Sequence, residues 1–300
     1  MRTETSKQFS FRRHEEVIET WEAKGSPRPI LRPKLLKEIG RLEYDRVFPF
    51  GEPSYILTTE NFKIRKSELN GKGYRSLVHH RSPAIEAIPF GAEQSGCTNF
   101  TDACFLDCIA SGTGRLRFNL SLLARVRRTL WLERSPETYC DAIIKELIKH
   151  TESAWDDGLE VCLRNDGTTD LGFEGGLYPI LSFCQSIGLR TYDYTKNPER
   201  MRDFSKGLLG SHHLTFSLSD APSSEPDAIE FLDAGSNVAV VFQGEFYDGH
   251  FALSDGKPRE LVNGDEHDLT FLHSSDAGRI IHLKAKGTLR SRDTEFKRER

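Results

Sequence analysis

The rhythm of apolar and polar positions changes near residue 85. Before it, short apolar pieces sit among charges and prolines. Arg46-Val47-Phe48-Pro49-Phe50 and Ser54-Tyr55-Ile56-Leu57-Thr58-Thr59 predict short strands and turns. Gly25-Ser26-Pro27-Arg28-Pro29 predicts a loop. After residue 85, short apolar runs alternate with helix signals. Ser121 to Leu130 predicts a helix with Leu123, Val126 and Leu130 on one face. Ser135-Pro136-Glu137 predicts a helix start, with serine as N-cap and proline at the first helical position. That helix should carry Ile143, Ile144, Leu147 and Ile148 inward and stop before Gly158.

Five strands are predicted next: Leu159 to Leu163, Leu189 to Tyr194, His213 to Ser217, Asn237 to Phe242 and Arg279 to Leu283. Helices fall between them. One runs from Gly176 to Ile187 and stops at Gly188. A short one opens at Asn197-Pro198-Glu199. A third runs from Ser224 to Ala234 and stops at Gly235. Alternating strands and helices predict βα units and a mainly parallel sheet. The expected fold class is α/β: a partial (β/α)6 barrel-like parallel sheet over residues 85–290, an N-terminal strand-rich extension over 1–84, and a basic tail over 291–300.

In such folds ligands meet the carboxyl ends of the strands. The predicted mouth takes Asn165, Asp166, Thr168 and Asp170 from the first loop, and Tyr194 and Lys196 from the second. Ser217, Ser219 and Asp220 follow the third strand, Gln243 the fourth, and Lys284 and Lys286 the last. Ordinary solvated loop starts are the alternative for any one of them. Asp166, Asp170 and Asp193 are candidate acid–base groups.

Composition narrows the class. The chain has 300 residues, 37% hydrophobic and 29% charged, enough for one large core without staples. No apolar run approaches the roughly 18 residues of a membrane span, and the first residues lack the apolar core of a secretory signal. No membrane partner is expected, and a cytoplasmic location is. Net charge is -4, so bulk electrostatics do not call for nucleic acid. The charge is uneven, however. Arg115, Arg117, Arg125, Arg127 and Arg128 share one stretch without an acid, and seven basic residues against three acidic ones run from Lys284 to Arg300. Either stretch could meet phosphates, or form a solvated face.

Six cysteines without a signal do not predict a disulfide framework. Three are clustered, Cys97, Cys104 and Cys108, and three are single, Cys140, Cys162 and Cys184. Three thiolates with one coordination position open point to a metal or iron–sulfur site; three small buried hydrophobes or a redox pair are the alternative. Zinc is the competing metal, with Asp107, His212 or His213 as a fourth ligand. Gly112 and Gly114 would let backbone approach a ligand. As a lone ligand, His213 competes with a packed core histidine. Asp265-Glu266-His267-Asp268 follows the turn signal Asn263-Gly264 and is expected to be solvated. No Gly-x-Ser-x-Gly, Walker loop or His-Glu-x-x-His motif is present.

The cysteine stretch followed by Gly112-Thr113-Gly114-Arg115 resembles the opening motif of an uncharacterised family of phage and plasmid proteins. Arg164-Asn165-Asp166-Gly167-Thr168-Thr169-Asp170, Tyr192-Asp193-Tyr194-Thr195-Lys196 and His213 to Ser217 follow in the same order. Asn237 to Phe242, Asn263-Gly264-Asp265 and Leu283-Lys284-Ala285-Lys286-Gly287 complete the match over roughly residues 85–290. The resemblance implies the host cytoplasm as location.

The chain is more distantly similar to radical S-adenosylmethionine enzymes, in which three cysteines follow the first strand of a partial (β/α)6 barrel. That resemblance implies a [4Fe–4S] cluster on Cys97, Cys104 and Cys108, with S-adenosylmethionine on the fourth iron. The spacing here, x6 then x3, departs from the usual x3 then x2. Two readings follow. The first is a metal-dependent enzyme acting on a small-molecule or nucleotide substrate, with Arg115, Arg125, Lys196, Lys284 and Lys286 on carboxylate or phosphate groups. The second is a nucleic-acid-binding protein of a mobile element, with structural zinc or no metal.

Overall fold

The computed structural model describes residues 55–59, 64–66, 72–112, 116, 119–273, 277–290, 294 and 296–299. The predicted strand at 46–50 and loop at 25–29 lie outside the described residues.

Among the described residues the strands are β1 (Leu57–Thr58), β2 (Tyr74–His79), β3 (Glu160–Arg164), β4 (Arg190–Thr195), β5 (His212–Ser217), β6 (Val238–Phe242), β7 (His250–Ala252), β8 (Pro258–Asn263), β9 (Ile280–Lys284) and β10 (Lys297–Arg298). They form one sheet in the order β1-β2-β3-β4-β5-β6-β9-β8-β7, with β10 also on β6. All pairs are parallel except β1 with β2 and β7 with β8. The structure is thus mixed α/β with a large, mostly parallel sheet.

Each parallel step needs a crossover. The first is long: α1 (Asp102–Leu106), α2 (Ile109–Gly112), α3 (Asn119–Arg134) and α4 (Pro136–Asp156) all lie between β2 and β3. The next three each use one helix: α5 (Tyr178–Ser186), α6 (Pro198–Ser205) and α7 (Ser224–Asp233). From β2 to β6 the strands neighbour one another in chain order, with no reversal. Crossovers of one hand then put the helices on one face of the sheet.

Side-chain alternation sorts the two faces. Leu77, Val161 and Leu163 pack against Tyr139, Ile143 and Leu147 of α4 and Ile180 of α5. Leu214, Phe216, Val238 and Val240 pack against Ala228 and Phe231 of α7. The opposite, inner face carries Ser76, Cys162, Arg164, Tyr192, Tyr194 and Thr215. A short 3-10 turn, Thr270–His273, follows β8. There Leu269 and Phe271 join Tyr74, Cys162 and Tyr192 in a small inner cluster.

The predicted elements recur with shifted ends. Ser135 does precede a helix with proline in its first turn, but its side chain makes no cap bond. Ile148 was expected inward and is 41% exposed. Tyr139, Ile143 and Leu147 define the buried stripe, and Ile148 lies about 100° round the helix from Leu147. The parallel sheet begins at Tyr74, earlier than the expected boundary at 85. At the other end Lys297 and Arg298 pair with Val241 and Phe242. They do so because β5 meets β6 only at Phe216↔Val238 and Ser217↔Ala239, which leaves the carboxyl half of that β6 edge open. Among the described residues no helix is long and apolar enough to cross a membrane.

Candidate functional site

The cysteine stretch lies across the carboxyl ends of the central strands. It enters at Gly96, where a side chain would collide with the Ser82 carbonyl, so only glycine permits this approach. The Asp170 N–H donates to Gly96 O at 3.0 Å, and Cys97 forms a parallel bridge with Asp170 in the loop after β3. Asn99 Nδ2 donates to the carbonyl of Lys196, just beyond β4, at 3.4 Å. Thr101 Oγ1 donates to Asp220, beyond β5. The same hydroxyl accepts from Cys104 N at 3.1 Å and caps α1. Three successive strand ends therefore hold one short loop.

The three sulfurs are half-buried and in the free thiol form. Cys97 and Cys104 pack against Ala84, Ile85, Phe100 and Phe105, and Cys97 Sγ accepts from Ala84 N at 3.4 Å. Burial pushes the Cys97 thiol well above its usual range, and Cys104, Cys108 and Asp170 push it the same way. Lys196 is the positive counterpart. Burial disfavours its charge, but Cys104, Asp170, Cys97 and Cys108 together raise its pKa above the ordinary lysine value. Its ammonium also lies 5.5 Å from the centre of the Phe296 ring. Thiols are a donor type that suits a metal. Among the described residues, however, no group of three or more His, Cys, Asp or Glu side chains is arranged to hold one.

The aspartates predicted at this mouth brace it. Asp166 is buried and accepts from Arg81 Nη2 at 2.8 Å, Thr169 Oγ1 at 2.6 Å and Gly172 N at 2.6 Å. Burial raises its pKa, but Arg81, Arg200 and these hydrogen bonds outweigh burial and bring it to about 2. Asp170 accepts from Thr195 Oγ1, Lys196 N and Arg200 Nη1, each at 2.7 Å. Thr168 Oγ1 donates to Arg81 O at 2.6 Å. Asp193 points to the helix side of the sheet, where Oδ1 accepts from Asp166 N at 2.6 Å. Burial, and then the charge of Asp166, push its pKa well above the usual carboxylate range.

The other predicted strand-end residues lie at or just past the carboxyl ends of β5, β6 and β9. Ser217 is buried at the end of β5. Ser219 and Ala221 fold onto each other, Ala221 N donating to Ser219 Oγ at 3.3 Å. Gln243 Nε2 donates to Arg290 O at 3.2 Å. Lys284 is paired with Glu245 and Lys286 with Asp265. Gly112 closes α2; Gly114, Arg115 and Arg117 lie outside the described residues.

Three expectations are corrected. Arg125 is only 1% exposed; its Nε donates to Glu86 at 2.8 Å and its Nη1 to Leu116 O at 2.9 Å, so it does not face phosphates. Arg128 likewise donates inward, to His80 O at 3.2 Å. His212 and His213 open β5, at the end of the sheet opposite the cysteine loop, so neither completes a zinc site with those sulfurs. Asp268, expected in a solvated turn, is buried and bonded to Arg164 Nη1 at 2.7 Å.

Sequence reasoning missed this last feature. Arg164 lies on the inner face with its guanidinium 4.9 Å from the Tyr194 ring centre. The alternation Cys162, Arg164 was the available signal, since a strand buried on both faces must neutralise an inward arginine.

A family model described as gene product 88 matches residues 57–300. No curated protein and no solved structure matches. The family match agrees with the resemblance to phage proteins; the resemblance to radical S-adenosylmethionine enzymes has no counterpart in it.

Proposed function

The chain belongs to the gene product 88 family, a phage-type family, and from that premise we propose that it is a metal-dependent enzyme working at the carboxyl rim of a partial (β/α)6 barrel. One observation carries the reading: the cysteine loop is tied to the ends of β3, β4 and β5 through Asp170, Lys196 and Asp220. A purely structural thiol cluster has no need of that rim, whereas ligand sites of parallel sheets lie there. Strands that neighbour one another in chain order, with helices on one face, favour a sheet that curls toward its inner side.

In this reading Cys97, Cys104 and Cys108 hold an iron–sulfur cluster, with S-adenosylmethionine as its companion cofactor. Such a cluster supplies one-electron chemistry when bound. The chain's own residues do the rest. Asp170 fixes the backbone of Lys196 and the guanidinium of Arg200. Lys196 sets a positive charge beside the sulfurs. Thr101 anchors the middle of the loop and caps α1, which carries Cys104.

The test is spectroscopic. Full-length protein is reconstituted with iron and sulfide under argon, reduced, and examined by electron paramagnetic resonance. A cluster signal that changes on adding S-adenosylmethionine supports the reading. A cluster signal indifferent to that cofactor removes the cofactor assignment, and no signal removes the cluster.

A further inference from the structure

The end of the chain returns to the rim. After β9, the 3-10 turn Gly287–Arg290 lies against α2, the helix that directly follows Cys108. Further on, Lys297 and Arg298 pair in parallel with Val241 and Phe242 of β6, and Gln243 N donates to Arg298 O at 2.9 Å. Phe296, just before β10, sets its ring 5.5 Å from Lys196 Nζ. That ammonium stands in the field of Cys104, Cys97 and Cys108. The terminal segment therefore meets both the helix after the cysteine loop and the cation beside its sulfurs.

The slot filled by β10 exists because β5 and β6 part early. Leu218 N donates to Ala239 O at 2.9 Å, and beyond that point β6 runs on to Phe242 without β5. Parallel sheets bind ligands in crevices outside the carboxyl ends of their strands. Here the chain's own terminus occupies such a crevice.

The occupant is held lightly. Among the described residues of 294–299, none is fully buried, and none joins the apolar clusters that pack the sheet. The strand is two residues long and, among the described residues, pairs on one edge. Its side-chain ties include Arg298 Nη2 to Glu225 at 2.8 Å, with both side chains partly solvated, and Lys297 Nζ to Leu289 O at 3.4 Å. Terminal segments with few buried contacts open at low free energy while the core stays closed.

We infer that β10 is a strap: the last residues of this chain fill the crevice between β5 and β6, close that flank of the cysteine loop, and come away to open it without unfolding the sheet. The site then has a closed state, the one in this structure, and an open one. A molecule that binds only the open state draws the strap out. The inference rests on the proposed reading only in taking the rim as the working site, since the strap's contacts need no metal.

Thiol accessibility in metal-free protein tests it. The full-length chain and a variant ending at Asp293 are treated with N-ethylmaleimide under native conditions, and labelling of each cysteine is followed by mass spectrometry. The inference expects Cys104 and Cys108 to label roughly tenfold faster in the shortened chain, with Cys140, Cys162 and Cys184 unchanged. A synthetic peptide of residues 291–300 should restore the slow rate, and the same peptide carrying Phe296→Ala should not. In the full-length chain Phe296→Ala keeps the backbone pairing of β10 and should speed labelling roughly two- to fivefold, the loss of one cation–ring contact. Unchanged labelling of Cys104 and Cys108 in both variants, or an acceleration shared equally by the three core cysteines in both, would overturn it. Because the labelling uses metal-free protein, its failure is distinct from failure to bind iron.

Discussion

Two buried aspartates beside the rim should answer to the same substitution in opposite ways. Asp166 is ionised and held by Arg81 and, at 3.7 Å, by Arg200. Its pKa falls from 3.8 to about 2, a difference worth about 2.5 kcal/mol of stability at neutral pH. Asp166→Asn also leaves two buried guanidinium groups short of a countercharge, which raises the cost to about 3–5 kcal/mol. A depressed carboxylate contributes fully above its unfolded pKa, and the contribution is lost as pH falls through the folded one. The gap between wild type and variant should therefore be flat from neutrality down to about pH 5 and narrow between about pH 4 and 2. Asp193, 0% exposed, is the opposite case: burial and Asp166 raise its pKa. Asparagine keeps the oxygen that accepts from Asp166 N. Asp193→Asn should cost less than about 1 kcal/mol at pH 7, and should gain on the wild type as pH rises above about 4. Urea unfolding followed by tryptophan fluorescence across that pH range measures both. Equal costs for the two variants, or an Asp166→Asn gap that does not change with pH, would refute the reasoning.

Three further outcomes follow from the same geometry. Arg125→Met leaves Glu86 buried and unpaired and should cost about 3–5 kcal/mol in urea unfolding; adding Glu86→Gln should recover part of that loss. Thr101→Val removes both the α1 cap and the bond to Asp220 and should cost about 1–2 kcal/mol, with faster reaction of Cys104 and Cys108 toward a thiol reagent under native conditions. Gly96→Ala should speed the same thiol reaction by displacing the loop from Ser82, with a smaller effect on Cys140, Cys162 and Cys184, which are buried in the core.

The βα alternation was legible where turn residues close each strand and a helix start follows, most plainly in the apolar run Val238 to Phe242 before Gln243 and Gly244. β2 was not. Tyr74-Arg75-Ser76-Leu77-Val78-His79 mixes a tyrosine and serine that face the inner side with an arginine that reaches Asp157 at 2.8 Å, so neither a strict alternation nor an apolar run marks it. The placement of the cysteine stretch above the sheet was legible from its order in the chain. The partners of Asp166, Asp170 and Arg125 were not, because each comes from a distant segment: Arg81 lies 85 residues from Asp166, and Glu86 lies 39 from Arg125. Charge in a stretch therefore read as surface, although Arg125 and Asp268 neutralise partners inside.

The central claim is that Cys97, Cys104 and Cys108 act together on one metal centre. Iron, inorganic sulfide and zinc per chain, measured on anaerobically reconstituted wild type and on single cysteine-to-alanine variants, test it most directly. The account predicts iron and sulfide bound to the wild type, lost from Cys97→Ala, Cys104→Ala and Cys108→Ala, and kept by Cys140→Ala. Metal-free wild type, or iron that survives loss of any one of the three, would contradict it.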